Sequence, residues 1–148
     1  MDKCPFCKND SRRILAENEA AFLTYAIAPY HKYHLLVIPK RHTESIKELD
    51  WGENVCVMAL IVSAIKVLDK IGHNDCTVLA RDGHAISKSI DHLHYNIIPG
   101  GDIEDVSLNV EVRKMLNEED EKALRKELNN VIGLWESILF VGVMFIEA

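Results

Sequence analysis

The chain has 148 residues, 48% hydrophobic and 27% charged, enough to bury one core but too few for two independent ones, so a single domain over 1–148 is expected. A formal net charge of -6 and a pI near 5.6 exclude a broad basic surface, so duplex nucleic acid is not an expected partner and any phosphate site must be local. No basic segment followed by an apolar run opens the chain, so a secretory signal is not indicated and a cytoplasmic location is expected.

Cys4-Pro5-Phe6-Cys7 comes first. In a reducing compartment so close a pair reads as a metal or redox site rather than a structural disulfide. Cys56 and Cys76 sit in apolar contexts and read as buried thiols. Arg12 to Glu17 and Ala20 to Ala26 read as two short strands joined by Asn18-Glu19 into a hairpin. Pro29 and the polar Tyr30-His31-Lys32 form a loop, and His34 to Pro39 follows as a largely buried strand ended by proline. After Lys40-Arg41-His42, with Thr43 or Ser45 as a candidate cap, a long helix is expected from about Asn54 to Ile71, with Gly72 just past its end. Val55, Met58, Val62 and Ile65 mark its core face. Leu60, Ile61, Ala64 and Val67 make the other side apolar as well, consistent with burial between a sheet and a partner subunit, and hence with a homodimer.

Cys76 to Ala80 reads as a strand, Arg81 to Ser87 as a loop, and Ile90 to Ile98 as a strand closed by Pro99-Gly100-Gly101. Glu118 to Asn130 is an amphipathic helix, with Leu124, Leu128, Val131 and Ile132 at core spacing. Val131 to Ile146 is apolar, but Glu136 interrupts it and it falls short of the roughly 20 residues a membrane-spanning helix needs. It reads as core or interface, the part from Leu134 being a strand, a helix or a dimer arm, and no membrane partner is expected. This order of elements favours an α+β fold around an antiparallel sheet of five strands, with one long helix and one C-terminal helix.

On an extended strand alternate side chains share a face, so His92, His94, Asn96 and Ile98 project one way and Leu93, Tyr95 and Ile97 the other. Two imidazoles and an amide, roughly 7 Å apart in turn, are poor choices for an apolar core. Either they line a site or they form the solvated side of an edge strand. The two cysteines alone supply half of a tetrahedral metal site.

The segment Ser89 to Pro99 resembles the motif of the histidine-triad superfamily, His-φ-His-φ-His-φ-φ preceded by serine, where φ is apolar. His34-Leu35-Leu36-Val37-Ile38-Pro39-Lys40-Arg41-His42 is similar to that family's upstream strand. With the Cys-x-x-Cys start, the resemblance covers about residues 4 to 100. It implies an HIT-like fold, and a nucleotide or nucleotide-conjugate substrate whose α-phosphate His94 attacks to give a covalent nucleotidyl-histidine. A neutral imidazole suits that task when its other nitrogen donates to a fixed acceptor, which in the family is a backbone carbonyl. Ser89, Asn96 and His34 are then expected beside His94 in the catalytic site, with Arg81 and Lys88 binding substrate. The resemblance also implies a structural zinc held by Cys4, Cys7, His42 and His92. No role is assigned to His31, His73 or His84.

Three positions depart from the family pattern. Asn96 replaces the third histidine, keeping a donor and an acceptor but losing titration near neutral pH; some nucleotidyltransferase branches carry glutamine there. Ala26 stands where hydrolase members usually have a ribose-binding aspartate. Arg81 replaces their usual asparagine and suits a more anionic substrate. The leading expectation is a zinc-stabilised homodimeric nucleotide hydrolase or nucleotidyltransferase, acting on a mononucleotide conjugate or a dinucleoside polyphosphate. Its rivals are a binding module that has lost turnover, and a metallohydrolase in which His92 and His94 hold a catalytic metal.

Overall fold

The computed structural model describes residues 4–8, 10–83, 88–100 and 113–133. Five strands, β1 (Ala16–Glu17), β2 (Ala21–Tyr25), β3 (Leu35–Pro39), β4 (Cys76–Ala80) and β5 (Tyr95–Pro99), form one sheet in the order β1-β2-β3-β5-β4, every neighbouring pair antiparallel. Among the described residues two α-helices, α1 (Trp51–Lys70) and α2 (Glu118–Gly133), join the sheet in the expected α+β architecture. The first hairpin is shorter than the sequence suggests, because Ser11–Arg13 forms a turn of 3-10 helix under an Asp10 cap. Asn18 closes the hairpin: its Oδ1 accepts from the Ala21 amide at 2.9 Å, while its Nδ2 donates to the Cys56 carbonyl on α1 at 2.7 Å.

The period of two along the strands sorts the sheet into two faces. Leu23, Tyr25, Leu35, Val37 and Ile97 pack against Val57, Leu60, Ala64 and Leu68 of α1 and Leu124, Leu128 and Ile132 of α2. Phe22, Ala26, Leu36 and Ile38 point to the opposite face, where Phe6 and Ile14 of the N-terminal segment partly cover them. Both helices therefore lie on one side, and among the described residues the other side carries the N-terminal segment and the site.

Helix α1 starts three residues earlier than expected, and its cap is Asp50 rather than Thr43 or Ser45. Asp50 Oδ1 accepts from the Glu53 amide at 2.8 Å and Glu53 Oε2 from the Asp50 amide at 2.9 Å, a reciprocal box that satisfies two orphan donors. Ser45 caps the short 3-10 turn Ile46–Glu48 instead. At the far end Gly72, at φ +91°, donates to Asp69 O and His73 donates to Leu68 O, the paired bonds of a Schellman stop that a side chain with a Cβ would strain.

The buried face of α1 is Val57, Leu60, Ile61, Ala64, Val67 and Leu68. The sequence reading chose the wrong side: Val55, Met58 and Val62 are exposed, with Trp51 in line, and only Ile65 of that set packs partly on the core. The helix is apolar around most of its circumference, so periodicity alone does not select a face. By length and composition it could cross a membrane, but its buried face is built into the sheet. Cys56 and Cys76 are half-buried rather than buried. The expected strand from Ile90 begins only at Tyr95, although Leu93 is fully buried in the core. His84 and the segment 134–146 lie outside the described residues.

Candidate active site and metal group

The site grows from the approach to β5. The Leu93 amide donates to the Thr43 carbonyl at 2.7 Å, which ties this approach to the chain following β3. Leu93 turns into the core, while the flanking His92 and His94 rings both meet Phe6 on the other side of the sheet. His92 is fully buried, and its Nε2–H donates to the Pro39 carbonyl at 2.9 Å, since a carbonyl can only accept. That leaves His92 Nδ1 as the lone-pair nitrogen. It lies 3.5 Å from the sulfurs of both Cys4 and Cys7, and His42 Nδ1 lies 3.2 Å from Cys7 Sγ.

These four residues form a group able to hold a metal ion, with all ligand atoms within 4.8 Å of one another. A tetrahedral zinc with bonds of about 2.3 Å to sulfur and about 2.1 Å to nitrogen sets its ligand atoms roughly 3.4–3.8 Å apart; the two 3.5 Å separations at His92 fall in that range and the 3.2 Å separation at His42 lies just below it. Burial lowers the proton affinity of His92, keeping the ring in the neutral form that coordinates metal. His42 Nε2 lies 3.8 Å from a Glu44 carboxylate oxygen, an acidic neighbour on the side away from the sulfurs.

His94 is oriented differently. Its Nδ1–H donates to the His92 carbonyl at 2.8 Å, leaving Nε2 with the lone pair. Burial pushes its pKa below the ordinary imidazole value; the His92 carbonyl opposes the shift, and the nearby Lys88 and Arg81 reinforce it. The ring is therefore neutral at pH 7, and Phe6 packs edge-on against it with centroids 5.3 Å apart.

Asn96 joins three strands. In register it faces Leu36 of β3 and Leu79 of β4. Its Nδ2 donates to the Leu79 carbonyl at 3.2 Å, and its Oδ1 accepts from His34 Nε2–H at 3.0 Å. The Tyr30 amide donates to His34 Nδ1 at 3.3 Å, so both partners select the same neutral tautomer. Burial drives His34 down to about 4.

Two cavities meet at His94. The larger, about 190 Å³, runs over the open face of the sheet between Phe6, Ala26, Leu36, Ile90 and His34. The smaller, about 50 Å³, is bordered by Arg81, Lys88 and Arg113. Ser89, His94, Asn96 and Arg113 border both. The structure thus brings His94, Asn96, His34, Ser89, Arg81 and Lys88 around one pair of cavities, with Lys88 held by a 2.6 Å bond from Nζ to the Glu44 carbonyl. No carboxylate borders either cavity among the described residues, and Ala26 leaves the aspartate position apolar.

Sequence reasoning missed Phe6, Tyr30 and Arg113. Phe6 carried a signal, since residues between two close metal ligands are held in place with them. Arg113 carried none, lying beyond the recognisable motifs. Its guanidinium sits 4.1 Å over the Tyr30 ring, and Nη1 donates to the Ala28 carbonyl at 2.9 Å. His31 and His73 pack on each other, ring centroids 5.0 Å apart, away from both cavities.

Comparison with known proteins gives a consistent result. Residues 8–103 match the family model described as HIT domain. The adenosine 5'-monophosphoramidase of Schizosaccharomyces pombe is 33% identical over 134 residues, covering 87% of this chain and 98% of its own. An uncharacterized HIT-like protein of Methanocaldococcus jannaschii is 29% identical over 125 residues, covering 78% and 97% respectively. A zinc-bound histidine triad family protein from Mycobacterium smegmatis shares the fold, with a TM-score of 0.71 over 93% of this chain and 99% of that one at 18% identity.

Proposed function

The chain belongs to the HIT domain family, and from that premise we propose that it is a nucleotide hydrolase or nucleotidyltransferase acting at the α-phosphate of a nucleotide conjugate or dinucleoside polyphosphate. His94 is the covalent nucleophile. The observation that carries this reading is the bond from His94 Nδ1–H to the His92 carbonyl, which leaves Nε2 as the lone-pair nitrogen of a ring bordering both cavities. Nε2 attacks phosphorus, an N–P bond forms, and the bond to the leaving group breaks with its electron pair departing on that group, which takes up a proton. The ring becomes cationic, and the His92 carbonyl accepts a stronger hydrogen bond from Nδ1. Water or an acceptor hydroxyl then adds to phosphorus and releases its proton to solvent, the N–P bond breaks, and its electron pair returns to Nε2. Ser89, Lys88 and Arg81 meet the charge on the phosphoryl oxygens.

His34 and Asn96 act by positioning: the amide fixes the neutral His34 ring beside the nucleophile and takes no proton itself. Cys4, Cys7, His42 and His92 would hold a structural zinc, which would tie the N-terminal segment, and Phe6 with it, to the approach of β5. Such thiolate ligation suits a reducing compartment, in line with a cytoplasmic location. The exposed stripe Trp51, Val55, Met58 and Val62 on α1 supports a homodimer.

The test is to incubate the protein with a labelled adenylate donor and look for an acid-labile adduct. Adduct in the wild type and none in His94→Ala is expected; the same absence in both across several donors would remove the covalent mechanism. A second reading, a nucleotide-binding module with little turnover, draws on Ala26 and on the commitment of the Asn96 amide to His34 and Leu79. Tight nucleotide binding without any adduct would favour it. His92 turns Nδ1 to two thiols while His94 turns Nδ1 to a carbonyl, which argues against one catalytic metal shared by both rings.

A further inference from the structure

The two cavities that meet at His94 differ in chemistry. The larger is walled mostly by apolar side chains and suits a nucleoside. The smaller has three cationic side chains, Arg81, Lys88 and Arg113, and no carboxylate among the described residues, within a chain whose net charge is -6. A concave cluster of like charge focuses field on whatever enters it.

Arg113 is the unexpected member, reaching the site from beyond the matched domain, which ends at residue 103. Its guanidinium carbon lies over the Tyr30 ring and one nitrogen is fixed by the Ala28 carbonyl, so the group is held before any ligand arrives. No carboxylate pairs with it among the described residues. A guanidinium has five N–H donors, and the Ala28 carbonyl engages one nitrogen, which leaves donors for a phosphate.

We propose that Arg113, which stands beside His94 where the two cavities meet, is a specificity-determining residue that binds the phosphates of the leaving group, so that this protein favours substrates whose leaving group is a polyphosphate over those whose leaving group is an uncharged amine. The inference rests on the reading of His94 as the nucleophile. The same nucleoside monophosphate is transferred in either case; Arg113 acts on what departs.

The experiment compares wild type, Arg113→Gln and Arg113→Lys on two adenylate donors, diadenosine tetraphosphate and adenosine 5'-phosphoramidate, which differ only in the leaving group. Arg113→Gln is expected to lose about 10- to 100-fold in kcat/KM on the tetraphosphate, the loss typical of removing a charge-assisted hydrogen bond, and to stay within about threefold on the phosphoramidate. Arg113→Lys, which keeps the charge, should recover part of the loss. Equal losses on both donors, or no loss on the tetraphosphate, would overturn the proposal. A second measurement does not need turnover: titration with inorganic tripolyphosphate should show binding that Arg113→Gln weakens about 10-fold and Arg125→Gln, outside both cavities, leaves unchanged. Equal binding by wild type and Arg113→Gln, or none by wild type, would overturn the role of Arg113 even if His94-dependent turnover is found. Tripolyphosphate binding that depends on Arg113, together with no His94-dependent turnover of either donor, would support the anion site and remove only the catalytic reading.

Discussion

His34 offers a quantitative test of how the site is built. It is 1% exposed, it accepts from the Tyr30 amide and donates to Asn96, and burial holds its pKa at about 4 against an ordinary value of 6.5. The folded state therefore keeps His34 neutral, while the unfolded chain takes up a proton as pH falls through 6.5. The stabilisation is fully present above 6.5 and is lost progressively between 6.5 and 4, below which the dependence on His34 ends. A difference of 2.5 pH units corresponds to about 3 kcal/mol. The assay is urea denaturation of wild type and His34→Gln at several pH values from 7.5 to 4. Subtracting the variant removes the contributions of the other histidines. The difference in unfolding free energy between the two proteins should fall by about 3 kcal/mol across that window, and NMR should show His34 still neutral at pH 5. A pH-independent difference, or a measured His34 pKa near 6.5, would refute the picture of a desolvated, doubly hydrogen-bonded ring.

Two further outcomes are expected. Cys4→Ser should reduce bound zinc from about one per chain to near zero and lower the melting temperature by on the order of 10 °C, as follows from a loss of about 3 kcal/mol in a chain of this size; metal analysis beside calorimetry checks both, and full zinc retention would contradict the ligand set. Met58→Asp places a charge on the exposed stripe of α1, so light scattering should show a dimer for the wild type and a monomer for the variant, with the fold intact because Met58 is 57% exposed. A monomeric wild type would remove the dimer reading.

Much of the fold was legible because it depends on local patterns. Short strand-forming runs bounded by turn residues marked the strands, Gly72 marked the end of α1, and the spacing of Leu124, Leu128 and Ile132 marked the buried stripe of α2. The face of α1 was not legible. Val55, Met58 and Val62 have the same spacing and polarity as residues that are buried, and only the position of the helix on the sheet separates them. Its start was misplaced for a related reason: Asp50 and Glu53 make a reciprocal cap, while Thr43 and Ser45 also satisfy the cap composition but serve other turns.

By itself the sequence determined that Asn96 and Ile98 share a face of β5, because an extended backbone repeats every two residues; His92 and His94 precede that strand, and only the fold turns His94 to the cavities that Asn96 also borders. It also determined that Cys4 and Cys7 present two thiols from one turn, although only a family resemblance pointed to His42 and His92 as their partners. The tertiary structure decided what those groups meet. Pro39 O and His92 O select the nitrogen each ring keeps free, Leu79 and His34 take the Asn96 amide, and Arg113 arrives beside His94 from far along the chain. Such meetings depend on how the sheet and helices pack, and spacing along the chain carries no record of them.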